Sequence, residues 1–179
     1  MTYLHTHLLK NGKHSMPNSE CFTKIDNLTA AEAFWLWAIH YWIESRSRQI
    51  DPVPLFSKAF VEMSIVSGIQ EDKALQFDYS LSLLVDFSTK PLRIRCSCNC
   101  GLLGNMEQIV LGCMALQQND QESKNVAGII LQNILPDLLV STVFKIFMDL
   151  SESSLANGMV LPVRPSYLDL AQNFHSAKI

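Results

Sequence analysis

Residues 28–48 read LTAAEAFWLWAIHYWIESRSR. Thr29 is followed three residues later by Glu32, which is the signature of a capping box: each side chain accepts a hydrogen bond from the backbone N–H of the other residue. Behind this start, apolar residues recur at helical spacing: Trp35, Ala38, Ile39, Trp42 and Ile43. The pattern predicts a helix that runs to about Arg46 or Arg48, whose positive charges suit the C-terminal end of the helix dipole.

Aromatic residues also flank this core stripe, so the predicted helix is apolar around most of its circumference. Such a helix is normally buried on more than one side, either at the centre of a domain or across a subunit boundary. Large aromatic side chains are also enriched in protein interfaces. We therefore predict a homodimer interface that draws on the aromatic residues of this helix: Phe34, Trp35, Trp37, Tyr41 and Trp42. The internal core is the alternative location for the same residues.

His40 lies in the same helix, four residues before Glu44, so the two side chains can pair on one face. We favour a histidine that is hydrogen-bonded at the edge of the core or of an interface. The alternative is a catalytic base beside an aromatic pocket, which would also need a nucleophile and a partner acid.

The rest of the chain predicts a mainly α protein, a single compact helical domain of about six helices with one short β segment or hairpin near residues 92–100. Periodicity and breaker residues place five further helices at about 54–64, 71–87, 106–118, 121–135 and 137–156. In the helix at 71–87, the predicted buried stripe contains Leu75, Tyr79, Leu83 and either Leu84 or Phe87. Asn105 is the predicted N-cap of the helix that follows the β segment.

These predicted elements divide the chain into three segments. Residues 1–27 are polar and carry turn signals, which predicts a flexible N-terminal arm. Residues 28–165 form the predicted helical domain. Residues 166–179 are interpreted as a C-terminal tail or a short helix.

The predicted β segment has a period of two, because Leu92, Ile94, Cys96, Cys98 and Cys100 alternate with polar residues. With Cys113, the three cysteines supply four thiols, the number that a tetrahedral zinc site or an iron–sulfur cluster uses. Alternate residues of a straight strand lie about 6 to 7 Å apart, so the sulfurs converge only if the chain turns near residues 99–101. We favour cysteines that act as small core residues, and we keep metal binding and thiol redox chemistry as alternatives.

The composition argues against a nucleic-acid-binding, a membrane-spanning and a secreted protein. Charged residues make up 17% of the chain against about 25% in typical soluble domains, so part of the surface is expected to be covered by another subunit. The net charge of −3 offers no basic stripe for nucleic acid. No apolar stretch approaches the roughly 20 residues that cross a bilayer, and five cysteines, an odd number, do not suggest a secreted disulfide framework. We expect a cytoplasmic protein that binds neither nucleic acid nor membrane.

The order of elements resembles that of a group of small proteobacterial proteins of unknown activity, which combine a helical domain with a mid-chain cysteine strand. The resemblance spans about residues 28–165 and is carried by residues 28–32, 51–52, 91–96, Glu107 and 162–165. It implies no activity, cofactor or partner.

The chain contains no nucleophile elbow and no phosphate-binding glycine motif. We therefore predict a non-enzymatic protein-binding or regulatory helical module that self-associates. The competing hypothesis is a metal- or redox-responsive protein that uses Cys96, Cys98 and Cys100, with zinc or an iron–sulfur cluster as its cofactor.

Overall fold

The fold is described from a computed structural model, which covers residues 23–24, 28–62, 71–94 and 102–173. These residues contain seven helices: α1 (Ala30–Arg48), α2 (Val53–Glu62), α3 (Glu71–Phe87), α4 (Asn105–Gln117), α5 (Gln121–Gln132), α6 (Asp137–Ala156) and α7 (Pro165–Asn173). Two short strands, β1 (Thr23–Lys24) and β2 (Leu102–Leu103), pair antiparallel. The mainly α prediction is confirmed, and the seventh helix, α7, lies where the sequence predicts a C-terminal tail or a short helix.

The predicted β segment near residues 92–100 is not observed. Residues 92–94 have no regular secondary structure, and 95–100 lie outside the described residues. At Arg93, the start of α4 explains why no strand forms. The Arg93 N–H donates to the Asn105 Oδ1 at 2.6 Å, and the Arg93 carbonyl accepts from the Met106 N–H at 3.1 Å. Both backbone groups that a strand would pair are thus used by a helix terminus.

The capping box at the start of α1 is confirmed. The Glu32 N–H donates to Thr29 Oγ1 at 3.2 Å, and the Thr29 N–H donates to Glu32 Oε2 at 2.8 Å. The helix ends at Arg48 and is capped by Gln49, whose φ of 59° is left-handed. Its N–H bonds back to the last turn, which is a common way for a helix to stop.

The centre of the molecule is α4, not α1. Every residue of α4 from Met106 to Gln117 is buried, and the helix packs against α1, α5, α6 and α7. Small residues permit this close packing: a Cβ added at Gly112 would lie 3.1 Å from the Tyr167 side chain of α7. The N-cap of α4 is Gly104 rather than the predicted Asn105, because the Asn105 side chain bonds instead to the chain at Pro91 and Arg93.

The buried stripe predicted for α3 is wrong in part. Leu75, Tyr79 and Phe87 are about half exposed, whereas Leu83 and Leu84 are buried as predicted. The inward residues are Ala74, Phe77, Leu81 and Leu84. Phe77 explains the rotation of the helix, because its ring packs within 5.3 Å of the rings of Trp35 on α1 and Phe56 on α2.

None of the helices in the described ranges is long and apolar enough to span a membrane.

Candidate functional site

The predicted interface residues of α1 divide between the core and the surface. Trp35 and Trp42 are buried, and the Trp42 Nε1–H donates to Asp78 Oδ1 at 2.7 Å. Phe34 is also largely buried. Of the five predicted interface residues, two therefore remain accessible to another protein: Trp37, which is 40% exposed, and Tyr41, which is partly exposed.

Helices α1 and α2 contact each other through aromatic rings. The Tyr41 ring lies 5.8 Å from Phe56, and the Phe34 ring lies 5.9 Å from Phe60. Because Phe56 and Phe60 point inward, the opposite side of α2 faces outward. The outer surfaces of both helices therefore lie side by side.

A shallow groove of about 280 Å³ runs between these outer surfaces. Its walls are mostly apolar, and the residues that line it are Phe34, Trp37, Leu55, Lys58, Ala59 and Glu62. The Trp37 ring stacks on Tyr41 with a centroid distance of 5.8 Å and an interplanar angle of 19°. We call this region, formed by Trp37, Tyr41 and the groove, the aromatic surface.

A second feature is the buried carboxylate of Glu32, which binds far beyond its own helix. Arg164 donates to Glu32 through Nε at 2.5 Å and through a terminal nitrogen at 2.6 Å, and the Tyr167 hydroxyl lies 3.3 Å away. Burial acts to raise the pKa of Glu32, but hydrogen bonds from Arg164 and from the Thr29 N–H outweigh it, so the pKa lies below its ordinary value. The cluster joins the start of α1 to the start of α7.

A third feature is the contact between His40 and Glu107. The His40 Nε2 lies 2.6 Å from Glu107 Oε1, and the Gly104 N–H donates to Glu107 Oε2 at 2.6 Å. The His40 side chain is 37% exposed, whereas Glu107 is fully buried. This pairing differs from the predicted one, since Glu44 binds Arg48 at 2.6 Å instead.

Sequence reasoning missed Glu107 as a partner of His40, although a signal for its local role exists. Glu107 is the third residue after the Gly104 cap, the position from which a glutamate reaches back to the cap N–H. The contact to His40 spans 67 residues and follows only from the packing of α1 on α4. The His40 imidazole thus lies beside a carboxylate oxygen of Glu107. His40 is not among the residues that line the groove.

Of the four predicted metal ligands, Cys113 is described and the other three are not. Cys113 is fully buried in α4, and its Sγ lies 3.8 Å from the Ala127 carbonyl oxygen. Burial raises the pKa of this thiol well above its ordinary value, so it stays protonated, whereas metals bind the thiolate. Cys96, Cys98 and Cys100 lie outside the described residues.

Within the described ranges, no three or more His, Cys, Asp or Glu side chains come together in a way that could hold a metal. Since Cys96, Cys98 and Cys100 lie outside these ranges, the metal site of Cys96, Cys98, Cys100 and Cys113 stays a prediction. Metal analysis of protein purified without added metal tests it directly.

No protein-family model, no curated protein and no solved structure matches this chain. The resemblance to proteobacterial helical proteins therefore stays a prediction as well.

Proposed function

We propose that this chain is a non-enzymatic, protein-binding helical module that self-associates through the aromatic surface. The observation that carries the proposal is the exposed, stacked pair of Trp37 and Tyr41 beside an apolar groove. Tryptophan and tyrosine supply much of the binding energy at protein interfaces, because they bury a large area with few rotatable bonds.

A lone exposed apolar residue does not carry the same weight. Leu138 is 86% exposed at the start of α6, but a single apolar side chain on a surface is normal. The aromatic surface differs because Trp37, Tyr41 and Leu55 belong to one continuous patch on two neighbouring helices. Contact with a second protein would remove this patch from water.

The test compares the association of two single variants by analytical ultracentrifugation. We expect Trp37→Ala to raise the dissociation constant of self-association by about 10-fold or more, the effect of losing an interface residue worth 1.4 kcal/mol. Leu138→Ala is the matched control, because it also truncates an exposed apolar side chain. It should leave the constant unchanged.

Circular dichroism establishes that both variants keep the helical fold. A monomer mass for the wild-type protein at every concentration would overturn the proposal. Equal dissociation constants for the wild-type protein and Trp37→Ala would place any association on another surface.

A further inference from the structure

We infer that residues 164–173, which comprise Arg164 and helix α7, form a latch that separates from α4 as one unit when the ion pair between Glu32 and Arg164 is lost. The groove of the aromatic surface is lined by residues of α1 and α2, on a different part of the chain. The inference therefore holds whether or not the chain self-associates.

A hinge lies directly before the latch. Gln118, at the end of α4, holds the chain as far as Leu161: its Oε1 accepts from the Leu161 N–H at 2.8 Å, and its Nε2 donates to the Met159 carbonyl oxygen at 3.2 Å. Residues 162–163 have no regular secondary structure, and Val163 is 37% exposed. Rotation of the backbone at these two residues moves the latch and leaves the preceding chain in place.

A buried ion pair anchors the closed latch. Arg164 donates to both carboxylate oxygens of Glu32, and the Tyr167 hydroxyl donates to Glu32 Oε1 at 3.3 Å. The Glu32 side chain is fully buried, and that of Arg164 is 23% exposed. Loss of one partner leaves the other as an uncompensated charge out of water, so the closed position is favoured only while both are ionised.

Beneath this ion pair, the latch covers the central helix with an aromatic ring. Tyr167 is fully buried, and its side chain lies 3.1 Å from the Cβ position of Gly112 in α4. Leu170, on the next turn of α7, is also buried. Opening of the latch therefore exposes the surface of α4 at Gly112, which is closed to solvent in the folded chain.

The rest of the core stays connected when the latch leaves. Helices α4, α5 and α6 pack on one another directly, and α1 packs on α4. The latch contains the last described helix, which has nine residues and is too short to be stable alone in water. Segments of this kind open at a lower free energy than the whole molecule does.

Acid is a physical signal that opens the latch. Among the described residues, the charged and titratable side chains that face Glu32 are Arg164 and Tyr167, and both belong to the latch. Burial raises the pKa of Tyr167, so its hydroxyl stays protonated and donates. The pKa of Glu32 lies below its ordinary value, so the anchor is complete above that value and is lost as the pH falls through the lower one.

Hydrogen exchange measured by mass spectrometry at increasing urea concentrations tests the latch, with labelling times scaled to the chemical exchange rate at each pH. In the wild-type protein at pH 7 and low urea, we expect the amides of α7 to exchange about 10-fold faster than those of α4, or more, because opening of the latch does not require global unfolding. As the pH falls from 7 to 4, exchange in α7 should rise while α4 remains the better protected helix.

Two variants remove the anchor from opposite sides. Glu32→Gln should increase the opening of α7 about 10-fold or more at pH 7, and glutamine still suits the capping box of α1. Arg164→Gln removes the same ion pair without altering α1 and should have the same effect. The matched control is Asp169→Asn, at an exposed charged position of α7, which should leave the exchange unchanged.

Three results would overturn the inference. Equal protection of α7 and α4 in the wild-type protein, with the same dependence on urea, would mean that α7 leaves only on global unfolding. Unchanged exchange of α7 in both Glu32→Gln and Arg164→Gln would mean that the ion pair does not hold the latch. An acid-induced rise in α7 exchange that persists in Glu32→Gln would rule out Glu32 as the group that responds to pH.

Discussion

At the scale of single residues, two buried glutamates connect different parts of the molecule. Glu32 and Glu107 each accept a backbone hydrogen bond at the first turn of their own helix. Glu32 also binds Arg164, and Glu107 also binds His40, both from distant parts of the chain. A buried carboxylate is costly unless its oxygens accept hydrogen bonds, and here both oxygens do so. Each glutamate therefore joins secondary structure to tertiary packing.

Glu32 makes folding stability depend on pH. Its pKa lies below the ordinary 4.5, so the folded chain holds this proton less tightly than the unfolded chain does. The contribution of Glu32 is thus complete above the ordinary pKa and is lost as the pH falls through the lower, folded value. We expect Glu32→Gln to lower the free energy of unfolding by about 1–3 kcal/mol at pH 7, with a smaller loss in acid.

Urea unfolding of both proteins at neutral and acidic pH measures this difference. Glu152→Gln, at an exposed position of α6, should show no comparable pH-dependent loss. A difference between the wild-type protein and Glu32→Gln that stays constant with pH would contradict the prediction.

Glu107 and Glu122 form a matched pair for the second prediction, because both lie in the first turn of a helix. Glu107→Gln places a neutral amide against His40 and the Gly104 N–H, so we expect a loss of about 1–3 kcal/mol in the free energy of unfolding. Glu122 is exposed, and Glu122→Gln should cost less than about 0.5 kcal/mol. Equal losses in chemical denaturation would show that only the helix dipole matters.

At the scale of elements, the start of α4 depends on the close approach of another segment. A Cβ at Gly104 would lie 2.2 Å from the Arg93 carbonyl oxygen and 2.8 Å from the Ile94 carbonyl carbon. Both atoms belong to the backbone, which cannot move aside like a flexible side chain. The sequence around Gly104 contains no sign of this contact.

The different surroundings of Gly104 and Gly128 predict opposite effects on stability when each is replaced by alanine. Gly104→Ala should destabilise the protein by about 1–3 kcal/mol or more, because the segment at Arg93 must shift. Gly128→Ala in α5 meets only Phe144 at 3.9 Å and removes a flexible residue from a helix, so it should stabilise by about 0.5–1 kcal/mol. Thermal unfolding gives the sign of each change, and a stable Gly104→Ala variant would contradict the packing described for α4.

Helix boundaries were more predictable than helix orientation. The bounds predicted for α3 and α6 match Glu71–Phe87 and Asp137–Ala156, because caps, prolines and glycines act locally. The inward face of α3 was predicted one or two positions away from the observed one. Apolar residues occur on several sides of that helix, so the aromatic rings that receive Phe77 decide its rotation.

At the scale of the whole molecule, the three tryptophans have different environments. Trp35 and Trp42 lie in the core, whereas Trp37 belongs to the aromatic surface. Self-association through that surface should shield Trp37 and leave the other two unchanged. Tryptophan fluorescence therefore reports on the interface separately from folding.

We expect acrylamide to quench the fluorescence more strongly below the dissociation constant than above it. In Trp37→Phe, the remaining tryptophans are buried in either state, so quenching should be weak and independent of protein concentration. A concentration dependence that persists in Trp37→Phe would mean that association exposes or covers a different part of the molecule.

The sequence by itself determined the helical class, the capping box at Thr29 and Glu32, and the placement of most helix ends, since these depend on neighbours within a few residues. Only the tertiary structure decided that α4 lies at the centre, that Trp35 is core while Trp37 is surface, and that Glu107 meets His40. The physical reason is that an apolar or charged side chain specifies what it must contact but not which distant segment supplies the contact. That choice is made when the helices pack together.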